Sequence, residues 1–549
     1  MDRRCFLKKA GLLAFSISMA PKLVMAAPLN NKKPNIVIIL ADDMGFSDLG
    51  CYGGEIETPN LDSLAAGGLR FKQFYNAARC CPTRAGLMTG LAPHLAGIGH
   101  MTETSGGPSP LENEPYQGYL NNHCVTLAQV LKKAGYHTLM TGKWHLGLHH
   151  KECWPLQRGF DKYFGIIDGA SDYFKPKRLT YMNNPIDTPE DFYTTDAFAD
   201  YACRFVEESV KAEDKPFFLY LAFNAPHWPL EAKTKDLKKY EGKYKAGWHD
   251  ISARRFERQK KMGLFKSDST PAPHDGPQWD TLPDDQKQLQ DLRMAAYAAC
   301  IDAIDQNIGK LVTKLKELDK LDNTIIFFLS DNGACHEGGI KGSGTEAVIR
   351  DPNLTAGTEG PRCGRVWANA SNTPFRYYKS FVHEGGMSTP LIVHWPAGIT
   401  KTRNGSFVEN FGYLLDFMPT CIELAETKYP ADWNGQVVHP MVGKSLVPLI
   451  TTEDTPIHTD PVFWEHEGNR AMREGSWKLV WAKEGPWELY DLSSDRTEMT
   501  NLIDKMPKRA AQMKRKWESW ARRTGVQFQT SFSYYNMFDE YQKEQKAEQ

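Results

Sequence analysis

No charge of one sign prevails along this chain. Its 549 residues carry 66 Lys and Arg against 67 Asp and Glu, a formal net charge of −1. The basic excess that marks nucleic-acid binding is absent, so no nucleic-acid partner is expected, and an anionic ligand must be held by a local cluster of positive groups. The 11 cysteines form no CxxC pair and no framework spacing, which excludes zinc-ribbon chemistry and dense disulfide stapling, though one or two bridges stay open. Internal repeats are missing. So is any apolar run near the roughly 20 residues that span a bilayer, so no membrane anchor is expected in the mature chain.

The positive signals begin at the N-terminus. Arg3-Arg4-Cys5-Phe6-Leu7-Lys8 precedes a short apolar stretch, Ala10 to Ala20, and the small residues Ala26-Ala27. This is the pattern of a cleavable export signal over 1–27, similar to a twin-arginine signal, and it implies a periplasmic or secreted protein. The aromatic content of 11%, with 14 Trp, suits a sugar or aryl site but equally a packed core.

Short apolar, β-branched runs recur between helical stretches: Asn35–Leu40, Tyr136–Met140, Phe217–Phe223, Thr324–Leu329 and Pro390–Trp395. The segments Leu61–Ala66, Ala128–Ala134 and Met294–Leu315 carry helical spacing between them. Continuous apolar strands alternating with helices predict an α/β fold, a large, mostly parallel sheet covered on both faces. From about residue 452 the pattern changes to alternating strands (Trp477–Trp481, Trp487–Tyr490) and a helix over Lys508–Arg522. That predicts a catalytic domain over 28–451 and a smaller α+β subdomain over 452–549. The charged stretch Lys233–Pro283 is expected to be a surface excursion shaping a cleft, Thr345–Thr373 a long irregular loop, and 540–549 a frayed end.

The residues just beyond each strand point to chemistry. The first run leads to Asp42-Asp43, the fourth to Asp331-Asn332, the second to Lys143 and His145, the third to His227. Ligands of open α/β sheets bind beyond the carboxyl ends of the strands. One polar loop there is ordinary; four of them with oxygen ligands, lysine and histidines predict one site. Asp42, Asp43, Asp331 and Asn332 offer hard oxygens and no soft ligand, which suits calcium or magnesium over zinc, with calcium preferred for its tolerance of higher-coordinate sites. In Cys80-Cys81-Pro82-Thr83-Arg84, Pro82 fits a first helical turn and places Cys80 at a helix N-terminus, an anion-receptive position. Arg84, four residues on, shares a helix face with Cys80 and is expected to offer a bidentate donor to an oxyanion.

Cys80-x-Pro82-Thr83-Arg84 with Met88-Thr89-Gly90, Gly142-Lys143-Trp144-His145, Asn224-Ala225-Pro226-His227 and the segment from Lys379 to Gly386 resemble the formylglycine-dependent sulfatases, of alkaline phosphatase-like fold. His94–Met101 and Trp367–Pro374 are similar to the bacterial arylsulfatase branch. The resemblance implies that a maturation enzyme oxidises Cys80 to formylglycine (3-oxoalanine), whose hydrate attacks sulfur and, with Cys80's position included, completes the metal shell. It further implies that Lys143 neutralises that hydrate and a sulfate oxygen, and that His145 takes a proton from its second hydroxyl. His227 and Lys379 would hold sulfate and protonate the departing alkoxide or phenoxide. His100, and His466 in Trp464–Arg470, are expected to contact the sugar or aryl portion. Leu91 stands where many members carry a basic residue after the Thr-Gly pair. The implied activity is hydrolysis of an aryl or carbohydrate sulfate ester. A phosphonate or phosphate ester hydrolase on the same scaffold, and a silent glycan-binding relative, are the alternatives.

Overall fold

Every residue of Asn35–Ala41 is buried, as are those of Phe217–Ala222 and Thr324–Ser330, which is what strands covered on both faces require. The computed structural model describes residues 32–102, 114–355, 360–452, 455–483 and 485–528; the expected signal and frayed end lie outside the described residues. The main sheet has ten strands: β1 (Asn35–Ala41), β2 (Leu69–Phe71), β3 (His137–Lys143), β4 (Lys162–Ile166), β5 (Leu179–Tyr181), β6 (Asn184–Pro185), β7 (Phe217–Ala222), β8 (Thr324–Ser330), β9 (Leu391–His394) and β10 (Ser406–Val408). They lie in the order β10-β2-β9-β8-β1-β7-β3-β4-β5-β6. The run β8-β1-β7-β3-β4 is parallel throughout, and β9 and β5 continue it antiparallel on either side. This is the expected large, mostly parallel sheet.

Alternation along β1 feeds two separate cores. Ile36, Ile38 and Leu40 pack with Leu87, Leu131 and Met418 of helices Cys80–Thr89, Leu127–Lys133 and Phe417–Leu424. Val37, Ile39 and Ala41 pack with Leu64, Phe198 and Ile301 of helices Pro59–Ala66, Thr194–Ala212 and Asp284–Glu317 on the other face. Both faces being occupied, the five parallel strands can present polar chemistry only at their ends. At one of those ends Gly142 has φ +103, and a Cβ there would come 1.8 Å from the Ala222 carbonyl oxygen. Only glycine allows β3 to lie this close to β7 immediately before Lys143.

A second, four-stranded antiparallel sheet lies later in the chain: β11 (Val462–His466), β12 (Asn469–Glu474), β13 (Trp477–Trp481) and β14 (Trp487–Asp491), in sequential order. Helix Pro507–Thr524 covers it through Met513, Trp517 and Ala521, which meet Met472, Leu479 and Leu489. Polar contacts tie this sheet to the segment after Lys379. Lys478 contacts Glu384 at 2.9 Å and Glu498 at 2.8 Å, and Glu488 contacts His383 at 2.7 Å. Lys478→Met would leave buried carboxylates facing apolar atoms. A loss of about 3–5 kcal/mol is expected, the scale for removing one partner of a buried pair, measured by denaturant unfolding.

Two expectations fail here. Lys233–Pro283 is no mere surface excursion: its helix Gly247–Lys261 buries Trp248, Ile251 and Phe256 in the second core, an apolar face that the surrounding charges obscure in the sequence. None of its residues lines the cavity at the strand ends. Within 345–373 the structure has helices Glu346–Arg350 and Gly364–Ser371, the latter buried throughout. All ten cysteines among the described residues are free. No helix among the described residues is long and apolar enough to cross a membrane.

Candidate active site

The strand ends converge. Beyond β1, Asp43 adopts a left-handed backbone (φ 69), and its N–H donates to Asp331 Oδ1 at 3.2 Å, drawing the β1 and β8 ends together. Asn332 Nδ2 donates to Asp43 Oδ1 at 2.6 Å. Three cations face the three carboxylates: Lys143 Nζ lies 2.5 Å from Asp42, Lys379 Nζ 2.8 Å from Asp43, and Arg84 Nη2 2.7 Å from Asp331. The cluster is therefore near charge balance. Two oxygens are left over: Asp42 Oδ1 and Asn332 Oδ1 are buried with no hydrogen-bond partner. Orphaned acceptors of this kind cost free energy unless a donor or cation meets them. Burial first, and the neighbouring Asp331 charge second, push the Asp42 carboxyl well above its usual range. An oxygen-seeking divalent cation would relieve both and leave the site net positive toward an anionic ester. Ligand atoms of Asp42, Asp43 and His227 lie within 4.8 Å of one another, and so do those of Cys80, Cys81 and His145.

Cys80 is the first residue of helix Cys80–Thr89, after an extended Arg79 and with no side-chain cap. Its thiol is held well below the usual range by a hydrogen bond with Cys81, with Lys143 and His145 helping to outweigh burial. His145, in a left-handed conformation (φ 56), is pushed down to about 4 by burial and so stays neutral. His227 is pushed down to about 3 by burial, and its Nδ1 lies 2.7 Å from the Trp228 carbonyl oxygen. Strained backbone at Asp43 and His145, on two strand ends of one site, is the kind of outlier that accompanies function.

Cys80, His145, His227 and Lys379 line one cavity of about 400 Å³. Asp42, Asp43, Asp331, Asn332 and Lys143 are buried and joined to it by the contacts above. Arg84 departs from expectation. Its Nε (3.2 Å) and Nη2 both donate to Asp331 Oδ2 and its Nη1 to the Lys143 carbonyl (3.0 Å), so the fork is engaged inside the protein and does not line the cavity. His100 and His466 also depart: both are buried beside Glu467, at 3.5 and 3.6 Å, and neither lines the cavity.

Sequence reasoning passes over several lining residues: Arg79, Asp168, Arg178, Trp228 and Glu337. Asp168 follows β4, whose Lys-Tyr-Phe-Gly-Ile run is too mixed to stand out as a strand. Arg79 and Glu337 were findable, one beside Cys80 and the other six residues after Asp331. Gly169 also lines the cavity and, like Asp168, follows β4 unmarked in the sequence: a Cβ there would lie 2.3 Å from His145 Nε2. Gly169→Ala must therefore displace the imidazole. A fall in kcat of about 10²-fold with unchanged thermal stability is expected, the scale of misplacing a proton-transfer group by an ångström.

A family model described as "Sulfatase" matches residues 34–427, and one described as "N-sulphoglucosamine sulphohydrolase, C-terminal" matches residues 375–523. An uncharacterized sulfatase of Schizosaccharomyces pombe is 35% identical over 537 residues, covering 90% of this chain and 95% of its own. An arylsulfatase of Klebsiella aerogenes is 33% identical over 458 residues, covering 80% of this chain and 96% of its own. Among solved structures, Ps i-CgsB in complex with k-i-k-neocarrahexaose superposes with a TM-score of 0.66 at 26% identity, covering 94% of this chain and 98% of that one.

Proposed function

This chain belongs to the sulfatase family and hydrolyses sulfate esters, and we propose that its ester is carried by a carbohydrate and is cleaved with a formylglycine made from Cys80 and a calcium ion. Asp42, Asp43, Asp331 and Asn332 would hold the ion, whose chemistry is to stabilise charge on the transferring sulfuryl group. The observation that carries this part is the pair of orphaned buried oxygens, Asp42 Oδ1 and Asn332 Oδ1. Calcium is preferred to magnesium because the donors are all oxygens and include carboxylates able to bind in two modes. A formylglycine at position 80 supplies an aldehyde hydrate with two hydroxyls, one to attack sulfur and one through which sulfate is later released.

The remaining roles belong to side chains that share the cavity or adjoin it. Lys379 and His227, both on the cavity wall, hold the sulfate oxygens, and the Lys379 ammonium delivers a proton to the departing oxygen, since a neutral imidazole is no acid. Lys143, buried against Asp42, adds positive charge behind position 80. His145, neutral in the folded protein, accepts a proton there. Arg84 fixes Asp331 and the Lys143 main chain, a positioning role in place of the oxyanion contact expected of it. Carbohydrate is favoured over aryl ester because the cavity wall is rich in charged and hydrogen-bonding groups, and the structural relative in complex with neocarrahexaose is consistent with that choice. Residues 1–27 would direct export to the periplasm or beyond, 28–451 form the catalytic domain and 452–549 the subdomain, and a maturation enzyme would act on Cys80.

The test is a side-by-side assay of 4-nitrophenyl sulfate, 4-nitrophenyl phosphate and a panel of sulfated monosaccharides. Higher kcat/KM on a sugar sulfate than on the aryl sulfate, and on sulfate than on phosphate, is expected. Preference for phosphate would move the protein to the phosphoester reading.

A further inference from the structure

Two charged residues on the cavity wall have no part in sulfate transfer as assigned to Cys80 and its neighbours. Arg79 precedes the helix that Cys80 opens, and Glu337 lies in the loop beyond β8; the side chain of each is 7% exposed. Arg79 Nη1 donates to Glu337 Oε1 at 3.1 Å and to Ser380 Oγ at 2.8 Å, and its Nε meets Met101 Sδ at 3.3 Å. Trp228 Nε1 donates to Glu337 Oε2 at 2.6 Å, and Lys379 Nζ is 4.0 Å from Oε1. Burial opposes the charge of Glu337, but Lys379 first and Arg79 second outweigh it, so the carboxyl is held far below its usual range and is ionised.

An ionised carboxylate offers about four acceptor positions and no donor. Two of those at Glu337 are taken by Arg79 and Trp228, which leaves acceptor capacity on a side chain that lines the cavity. A sulfate group cannot use it, since its oxygens are acceptors too, and a negative charge beside them is unfavourable. A plain aryl ring has no donor to offer. A hydroxyl on the carbon next to a sulfated carbon of a sugar ring does, and it would also accept from Arg79. The Trp228 indole has one face covered by the Arg362 guanidinium, 4.0 Å from its ring centroid. Its edge N–H orients the carboxylate.

We propose that Glu337 and Arg79 form a hydroxyl-binding subsite that selects a sugar bearing a free hydroxyl beside the sulfate ester. This rests on the carbohydrate reading and sharpens it: the subsite would read the leaving group, while Lys379 and His227 hold the sulfate. A more exposed pair, Arg178 with Asp168 at 3.1 Å, lines the same cavity and could contact sugar farther out, but the subsite does not depend on it.

The experiment removes the hydroxyl and the carboxylate in turn. The wild-type protein is assayed on the monosulfates of methyl galactopyranoside and of N-acetylhexosamines, and on analogues of the best one with a single hydroxyl replaced by hydrogen. One analogue, lacking the hydroxyl next to the ester, should lose about 10- to 100-fold in kcat/KM, the scale of a hydrogen bond to a charged group. In Glu337→Gln that ratio between parent and analogue should collapse to within about threefold, whatever the variant's general activity. A ratio unchanged in Glu337→Gln would overturn the subsite and leave Glu337 as a brace for Lys379. Should that variant not fold, the wild-type ratios decide alone, since indifference to every deoxy analogue overturns the proposal. Turnover of 4-nitrophenyl sulfate with none of the sugar sulfates would overturn it as well, whereas failure on all sulfate esters would instead contradict the sulfatase reading.

Discussion

Cys80→Ser should lower kcat by at least about 10³-fold, the scale of losing a catalytic nucleophile, while leaving the fold intact. Cys80 is buried at the start of a helix and serine is close to it in size, so packing changes little. The chemistry changes completely. A serine carries one hydroxyl, so even if it attacked sulfur it would have no second hydroxyl through which to expel sulfate. His145 would then have no proton to remove. The variant is expected either to be inert or to retain sulfate covalently, and intact mass after incubation with 4-nitrophenyl sulfate separates the two. Sustained turnover near the wild-type rate would contradict the role of position 80.

Asp42→Asn, or removal of metal by EGTA, should abolish at least about 10²-fold of the activity, the scale of losing transition-state charge stabilisation. Asp42 is the residue to choose because one of its oxygens is held by Lys143 and the other is orphaned. An amide keeps the shape, removes the charge that attracts a cation, and leaves Lys143 facing a weaker acceptor. Linkage provides a readout apart from turnover. Calcium that binds only the folded protein stabilises it by RT ln(1 + [L]/Kd), about 2.7 kcal/mol at a hundredfold excess over Kd. The wild-type protein stripped with EGTA should therefore gain Tm as calcium is added, and gain more than with equal magnesium. Asp42→Asn should not. A stripped protein that is fully active and shows no thermal shift with either ion would contradict the metal assignment.

How far these sites could be read before the fold was in view depended on burial. β1, β7 and β8 are legible because strands covered on both faces must be apolar at every position, and the abrupt change to Asp42-Asp43 and Asp331-Asn332 marks where they end. Cys80 was legible from Pro82 and the residues around it. β4 was not, because Lys162 and Gly165 interrupt it, and with it went Asp168 and Gly169. Helix Gly247–Lys261 was hidden for the opposite reason, its buried Trp248, Ile251 and Phe256 being outnumbered by charged neighbours. Arg84, His100 and His466 show a different limit. Sequence spacing places them near the site, but Arg84 and His100 meet Asp331 and Glu467 from distant segments, His466 lies beside the same Glu467, its chain neighbour, and none of the three lines the cavity. Glu337 needed the same long-range information in reverse, since its approach to Arg79 and Trp228 joins three separate loops.

The conversion of Cys80 stands beneath every step assigned to its neighbours. Trypsin cuts after Arg79 and Arg84 and releases Cys80–Arg84 as one short peptide. Mass spectrometry of that peptide from an active preparation should show an aldehyde in place of the first thiol, with Cys81 unchanged, and the converted fraction should rise in proportion to specific activity across preparations. A fully active preparation in which Cys80 is entirely an unmodified thiol would contradict the account.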